Sequence, residues 1–169
     1  IKLVKDLGFN TIRKHIKIES MRFYYHADRL GIIVWQDFVN GGEKYKFKTI
    51  SFPLITKVHH NDHRYKYFSR LNEIGRKETI QEFKDTLSLL YNVPSIGLYT
   101  IFNEGWGQFD SKEIYNELKK IDNTRLYDHA SGWHDQGISD VKSLHVYFMK
   151  VKKVILETSV KINKNNEQK

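Results

Sequence analysis

The sequence of 169 residues contains no cysteine, which excludes disulfide bonds and thiolate metal sites. No apolar run approaches the roughly 18 residues that a membrane-spanning helix needs, so we expect no membrane partner. The chain begins at Ile1 without the charged and apolar regions of a signal peptide, which favours a piece of a longer polypeptide. The compartment stays open, with a cytoplasmic protein favoured and a secreted parent as the alternative.

The composition is that of a folded domain, with 40% hydrophobic and 14% aromatic residues. The chain is long enough to bury a core, and many aromatic side chains also suit a ligand-binding cleft. The net charge of +8 raises the alternative of an open-sheet RNA-binding module. The excess charge is spread thinly along the chain, with its highest density in residues 44–70 and in the stretch after Lys150, so we expect no nucleic-acid partner.

Helix, glycine and strand patterns alternate along the chain, which predicts right-handed crossover units and a parallel sheet. Helical spacing marks residues 1–7, a helix after Ser20, one from about Glu78, and one that starts with a capping box of Asp110 and Glu113. The predicted strands are Phe9–Arg13, Ile32–Phe38, Ile96–Phe102, Leu126–Ala130, Val141–Phe148 and Val154–Leu156.

About six strands fit two α/β folds. An open flavodoxin-like sheet suits the length, but no glycine-rich phosphate loop follows any strand. A closed (β/α)8 barrel takes about 250 residues, so this chain would hold most of one with its ends missing. Residues 40–75 lack clean periodicity and are predicted to form a long loop, and residues 161–169 a polar, disordered tail.

Glu104 is the first candidate for a catalytic residue. The uncharged run Ile96–Phe102 predicts a strand buried on both faces, and Asn103 and Glu104 follow directly. A carboxylate at the end of a buried strand costs free energy unless water solvates it or a partner group pairs with it, or it is kept for a function. In an α/β barrel, catalytic side chains lie at this end of the strands.

Three segments of the sequence resemble the catalytic barrel of glycoside hydrolase family 2, which includes β-galactosidases, β-glucuronidases and β-mannosidases. These segments are Gly8–His15 (GFNTIRKH), Ala27–Phe38 (ADRLGIIVWQDF) and Asn92–Gly107 (NVPSIGLYTIFNEGWG). The resemblance extends from Ile1 to Phe148. It implies a partial (β/α)8 TIM barrel over residues 1–160, with the first and last strands missing.

The resemblance also implies a retaining mechanism with two carboxylates and no cofactor. Glu104 would be the general acid/base, and Asn103 would bind the sugar 2-hydroxyl. Arg13 would brace the carboxylates, and Asp37 would hold a sugar hydroxyl or orient its neighbours. The substrate would be a carbohydrate with a terminal β-linked sugar, and a β-galactoside is the favoured prediction.

The nucleophile of the family has only one weak candidate here, Glu157. The serine before it and the glycines after it are absent, and the five residues between Phe148 and Val154 are too few for a barrel helix. We therefore expect an incomplete catalytic fragment. The alternative is a non-catalytic carbohydrate-binding or pseudo-enzyme fragment. Uncovered sheet edges would also favour self-association into a homo-oligomer.

Three further residues are predicted near the substrate. Trp133 is either a stacking platform for a sugar ring or a packed loop residue. His145 and Tyr147 alternate on a predicted strand and would both point into the barrel, where Tyr147 could bind the nucleophile. Either could equally be a satisfied core residue.

The histidines His59, His60 and His63 resemble a metal-binding pattern, because histidines four residues apart share a helix face. Their surroundings are basic, no glutamate follows the first histidine, and no strong helix is evident. We therefore expect no metal site.

Overall fold

A computed structural model describes residues 1–54, 56 and 58–147 of the chain. Within them four parallel strands form one sheet in the order β1-β2-β3-β4. The strands are β1 (Thr11–Lys14), β2 (Ile33–Asp37), β3 (Ile96–Asn103) and β4 (Leu126–Ser131). The helices are α1 (Lys2–Asp6), α2 (Met21–Leu30), α3 (Phe47–Ile50), α4 (Glu73–Leu90) and α5 (Ser111–Ile121), with a 3-10 turn at Phe52–Leu54. None of the described helices is long and apolar enough to cross a membrane.

The parallel α/β sheet is confirmed, although the described residues contain four strands and not about six. The three longer helices, α2, α4 and α5, each bury apolar side chains on one face. In α4 that face is Phe83, Leu87 and Leu90, all fully buried. Helix α4 begins at Glu73, earlier than predicted, because the Asn72 side chain accepts a hydrogen bond from a backbone N–H of its first turn.

Strand β3 is the centre of the core, since every residue in it except Gly97 is buried. Tyr99 stacks on Phe38 with ring centroids 5.4 Å apart, and Phe38 contacts Phe83 of α4 at 4.7 Å. A strand packed in this way leaves little freedom at its carboxyl end. The backbone position of Asn103, the last residue of β3, is therefore fixed by the core.

The predicted capping box of Asp110 and Glu113 is wrong. Asp110 has a left-handed backbone (φ 42°) and its side chain makes no cap hydrogen bond. The Ser111 backbone N–H instead donates to Asp62 Oδ2 at 3.1 Å, and Asp62 is only 2% exposed. The cap of α5 thus comes from the segment 40–75, which is not a structureless loop, since it contains α3 and the 3-10 turn. A local sequence pattern cannot reveal such a cap.

The predicted strand Val141–Phe148 is also wrong over its described residues. Residues 138–147, which we name the edge segment, run beside the free edge of β4 without forming a strand. Side-chain oxygens of the edge segment accept hydrogen bonds that a strand backbone would accept. The bonds run from Tyr127 N to Asp140 Oδ2 (2.8 Å), from His129 N to Ser139 Oγ (2.9 Å) and from Gly132 N to Ser143 Oγ (3.0 Å). The edge is therefore satisfied without a fifth ladder.

Three predictions fall outside the described residues. They are the strand Val154–Leu156, the nucleophile candidate Glu157 and the tail 161–169. The division into a barrel fragment over 1–160 and a tail stays a prediction.

Candidate active site

Arg13, Asp37 and Asn103 meet at the carboxyl ends of three neighbouring strands. Arg13 Nε lies 3.0 Å from Asp37 Oδ1, and Arg13 Nη2 lies 2.9 Å from Asp37 Oδ2. The same Nη2 donates to Asn103 Oδ1 at 2.9 Å. Parallel strands in register bring their ends to one edge of the sheet, which explains the meeting. Arg13 holds the Asn103 oxygen, and within the described residues no hydrogen bond engages the Asn103 NH2, which can donate to a ligand.

His15 completes this group, which we name the sheet-side cluster: Arg13, His15, Asp37 and Asn103. His15 Nδ1 lies 3.0 Å from Asp37 Oδ2, and the Ile16 backbone N–H lies 3.3 Å from the same oxygen. Asp37 is fully buried, so these donors compensate its charge. Sequence reasoning gave His15 no role. Its position two residues after Arg13, just beyond β1, was the available signal.

Glu104 stands in a strained turn directly after β3. Its φ of 51° is in the left-handed region, and its backbone N–H donates to Ser131 O at 2.9 Å. Its carboxylate Oε1 accepts hydrogen bonds from His145 Nδ1 at 2.7 Å and from the Tyr147 hydroxyl. These contacts bring together three residues that the sequence analysis placed in the site. We name Glu104, Ser131, His145 and Tyr147 the edge-side cluster.

The protonation states of the edge-side cluster follow from these bonds. Burial raises the pKa of Glu104, but the hydrogen bonds from His145 and Tyr147 outweigh it, so the pKa is lowered overall. Burial and the bond to Glu104 raise the pKa of Tyr147 to about 12, so its hydroxyl remains a donor at neutral pH. His145 Nε2 lies 2.9 Å from Ser131 Oγ, which fixes the ring from its other side.

Glu104 is thus ionised at neutral pH, ready to accept a proton. To donate one, it needs a neighbouring negative charge that raises its pKa. Within residues 1–54, 56 and 58–147, no hydrogen bond or ion pair joins Glu104 to a second carboxylate. The described site therefore holds an acid/base candidate and the groups that orient it.

The family model described as "Glycosyl hydrolases family 2, TIM barrel domain" matches residues 1–169. The chain belongs to glycosyl hydrolase family 2. The four strands of its described part and the helices between them are part of the family's TIM barrel. Among curated proteins, no sequence matches the chain.

Solved structures support the family 2 barrel at the level of the fold. An FMN-binding β-glucuronidase from Facaelibacterium prausnitzii L2-6 is 24% identical with a TM-score of 0.63, and the match covers 87% of this chain and 21% of that one. A β-D-mannosidase from Dictyoglomus thermophilum is 23% identical (TM-score 0.54; 85% and 17% covered). A β-glucuronidase from an uncultured Clostridium sp. is 19% identical (TM-score 0.54; 77% and 20% covered). The chain thus spans about a fifth of the length of these structures.

Trp133, the predicted stacking platform of the family 2 site, is only 7% exposed. It follows Gly132, where an added Cβ would lie 2.5 Å from the His145 ring. The close approach of His145 explains why a glycine precedes Trp133. A buried indole agrees with the alternative of a packed loop residue, and the stacking role stays a prediction.

The three histidines of the metal-like sequence pattern, His59, His60 and His63, do not converge on one point. His59 Nδ1 accepts from the Asp135 backbone N–H at 3.0 Å, and the His60 backbone N–H donates to His134 Nδ1 at 3.2 Å. His63 Nδ1 instead lies 2.6 Å from Asp110 Oδ1. His63, Asp110 and Glu113 could together hold an ion, but they are half-buried or exposed and lie at the positive end of α5. The histidines therefore anchor loops.

Two residues that hold the segment 40–75 against the family 2 site were missed. Arg70 is 8% exposed, and its Nε donates to Gly107 O at 2.7 Å. His134 is 1% exposed, and its Nε2 donates to Thr49 O at 3.1 Å. Burial lowers the pKa of both side chains. The glycine pair of the Glu-Gly-Trp-Gly turn was the available signal, because paired glycines indicate a close approach of another backbone.

Proposed function

We propose that this chain carries the acid/base side of a retaining β-glycosidase that hydrolyses a terminal β-linked sugar. The observation that supports this most is the position of Glu104. It follows the most buried strand and is oriented by His145 and Tyr147. Next to it, Asn103 is oriented by Arg13. A carboxylate and an amide donor at one strand end suit protonation of a glycosidic oxygen beside a sugar hydroxyl.

In the proposed reaction Glu104 gives its proton to the glycosidic oxygen while a second carboxylate attacks the anomeric carbon. The C–O bond to the leaving group breaks and a glycosyl–enzyme ester forms. Glu104 then takes a proton from water, which attacks the anomeric carbon and releases the carboxylate. Asn103 donates to the 2-hydroxyl throughout. The attacking carboxylate proposed from the sequence is Glu157, which lies outside the described residues.

Three sugars are candidates for the substrate. The sequence analysis favoured a β-galactoside, whereas the similar structures carry the names of glucuronidases and a mannosidase. We therefore keep the β-galactoside as a prediction to be tested against the other two sugars.

The test is a panel of 4-nitrophenyl β-galactoside, β-glucuronide and β-mannoside, assayed with the chain and with Glu104→Gln. Glutamine keeps the size of the side chain and removes its proton transfer. Where the attacking carboxylate is also supplied, we expect hydrolysis of one sugar and a fall in kcat of about 10²–10⁴-fold in the variant. Equal rates in both proteins would contradict the role of Glu104.

The second candidate function is non-catalytic carbohydrate binding, because no second carboxylate contacts Glu104 in the described part of the chain. This alternative predicts that none of the three sugars is hydrolysed by a folded chain. It also predicts that calorimetric titration still detects sugar binding. That pair of results would replace the catalytic proposal.

A further inference from the structure

The turn after Glu104 carries one other side chain. Residues 104–107 read Glu-Gly-Trp-Gly, so only Glu104 and Trp106 extend beyond the backbone. Gly105 and Gly107 have φ values of 72° and 62°, and the Trp106 backbone N–H donates to Asn103 O at 3.0 Å. The two residues are two positions apart, so their Cα atoms are at most about 7 Å apart.

Packing fixes the shape of this turn. A Cβ added at Gly105 would lie 2.6 Å from the His134 ring, and one added at Gly107 would lie 2.0 Å from Gly41 O. Neither position accepts a larger residue without a clash. This packing restrains the backbone that carries Trp106 two positions after Glu104.

Tyr45, from the segment 40–75, packs on Trp106. The ring centroids are 5.4 Å apart and the planes are tilted by 41°. Both side chains are half-buried, so part of each side chain stays accessible to solvent. Neither the Trp106 indole N–H nor the Tyr45 hydroxyl has a hydrogen-bond partner among the described residues. The pair offers open ring surface and two unused polar groups.

The other two tryptophans of the chain do not combine an accessible ring with an unbonded indole N–H. Trp133 is 7% exposed. Trp35 carries the Arg13 guanidinium 5.3 Å from its ring centroid, and its Nε1–H donates to Thr100 Oγ1 at 2.5 Å. Among the three, Trp106 is the indole whose ring and N–H are both available beside Glu104.

We propose that Trp106 and Tyr45 form a binding platform for the leaving group of the substrate, and that this group has a flat, apolar ring face. This inference rests on the proposed function, because the acid protonates the oxygen that joins sugar and leaving group. The group beyond that oxygen must pass close to Glu104, within reach of Trp106. An aryl ring and the C–H face of a pyranose both have this chemistry.

The test measures binding to the Glu104→Gln chain, which does not require turnover. The probes are phenyl and methyl β-glycosides of galactose, glucuronic acid and mannose, and a disaccharide with the same non-reducing sugar. Indole N–H signals of the ¹⁵N-labelled protein report which tryptophan is contacted. We expect the phenyl glycoside to bind about 2- to 10-fold more tightly than its methyl counterpart and to shift the Trp106 signal.

Variants separate the platform from a general loss of structure. Trp106→Ala should abolish the preference for phenyl over methyl without changing methyl affinity, and Trp106→Phe should keep part of it. Tyr45→Phe keeps the ring and should retain most of the preference. Phe47→Ala is the matched control, because Phe47 is a 71% exposed aromatic residue of the same segment. It should change neither affinity.

The outcomes decide between the sources and the alternatives. A preference for the phenyl glycoside alone identifies an aryl leaving group, and tight binding of the disaccharide alone identifies a sugar. Equal affinity for phenyl, methyl and disaccharide ligands, or no binding of any probe, overturns the platform. A phenyl preference without hydrolysis by the unmutated chain leaves the platform standing and removes the proposed reaction. Hydrolysis by the unmutated chain without a preference for the phenyl glycoside removes the platform and leaves the proposed reaction standing.

Discussion

The sheet-side cluster and the edge-side cluster meet at the end of β3, but the backbone supports them differently. Arg13, Asp37 and Asn103 stand on strands joined by parallel ladders, of which the one between β2 and β3 shifts register once, between Val34 and Trp35. His145 and Tyr147 stand on the edge segment, which is held to β4 mainly by the side chains of Ser139, Asp140 and Ser143. The first cluster can open only if the sheet opens, whereas the second depends on individual hydrogen bonds.

This difference matters for the proposed acid/base. The sheet-side cluster positions the groups that would contact the sugar, and it should be rigid. The edge-side cluster sets the pKa of Glu104, which must change during the reaction. A less tightly held His145 and Tyr147 suit a pKa that responds to the neighbouring charge. Four experiments test the contrast, from the largest expected effect to the smallest.

Asp37→Ala should cause the largest loss of stability. It leaves Arg13 and His15 without the fully buried carboxylate that they share. Because Arg13 is partly exposed, we expect the free energy of unfolding to fall by about 2–3 kcal/mol, somewhat less than for a fully buried pair. Denaturant titration measures it, with Asp6→Ala on the surface of α1 as the control. A loss below about 0.5 kcal/mol would show that the sheet-side cluster is not a structural unit.

Ser143→Ala should loosen the edge segment and leave the sheet intact. The variant deprives the Gly132 N–H of its acceptor, which costs about 1–2 kcal/mol. Amide hydrogen exchange should accelerate at residues 132 and 138–147 but not in β2 and β3. Ser88→Ala, at an exposed position of α4, should change exchange nowhere. Faster exchange throughout the sheet would contradict independent support of the two clusters.

Acidification should destabilise the protein through His129 and His134. Burial lowers the pKa of both below the ordinary value of about 6.5, so the unfolded chain binds more protons than the folded one. Their contribution is present above that value and is lost as the pH falls through it. Between pH 7.5 and 6 the loss is at most about 0.8 kcal/mol per histidine. His134→Gln should reduce the pH slope, and an unchanged slope would exclude His134.

His145→Ala should have the smallest effect on stability but a specific effect on Glu104. The hydrogen bond from His145 is the largest of the contributions that lower the pKa of Glu104, whereas His15 acts only at a distance. The pKa of Glu104, followed by ¹³C NMR, should therefore rise more in His145→Ala than in His15→Ala. An equal or larger rise in His15→Ala would reverse the assignment of the two clusters.

Three of the four residues of the sheet-side cluster, all except His15, could be predicted from the sequence because their geometry follows from parallel strands. Once β1, β2 and β3 are assigned, Arg13, Asp37 and Asn103 must end at the same edge. Resemblance added their roles, and the apolar run before Glu104 marked the central strand.

No local signal identified both partners of the remaining contacts. Arg70 and Gly107 are 37 residues apart, and His134 and Thr49 are 85 apart. The edge segment alternates like a strand, but side-chain oxygens of serine and aspartate supply the acceptors that the pattern attributes to its backbone. Whether a side-chain oxygen replaces a backbone acceptor depends on the tertiary placement of its segment, which neither residue spacing nor strand propensity encodes.

The most direct test of the account is rescue of Glu104→Ala by azide. With 2,4-dinitrophenyl glycosides the leaving group needs little protonation, so loss of the acid/base should slow mainly the attack of water on the glycosyl–enzyme ester. Azide needs no base. The account predicts that azide restores turnover and that the product is a β-configured glycosyl azide. No rescue, or an α-configured azide, would contradict Glu104 as the acid/base.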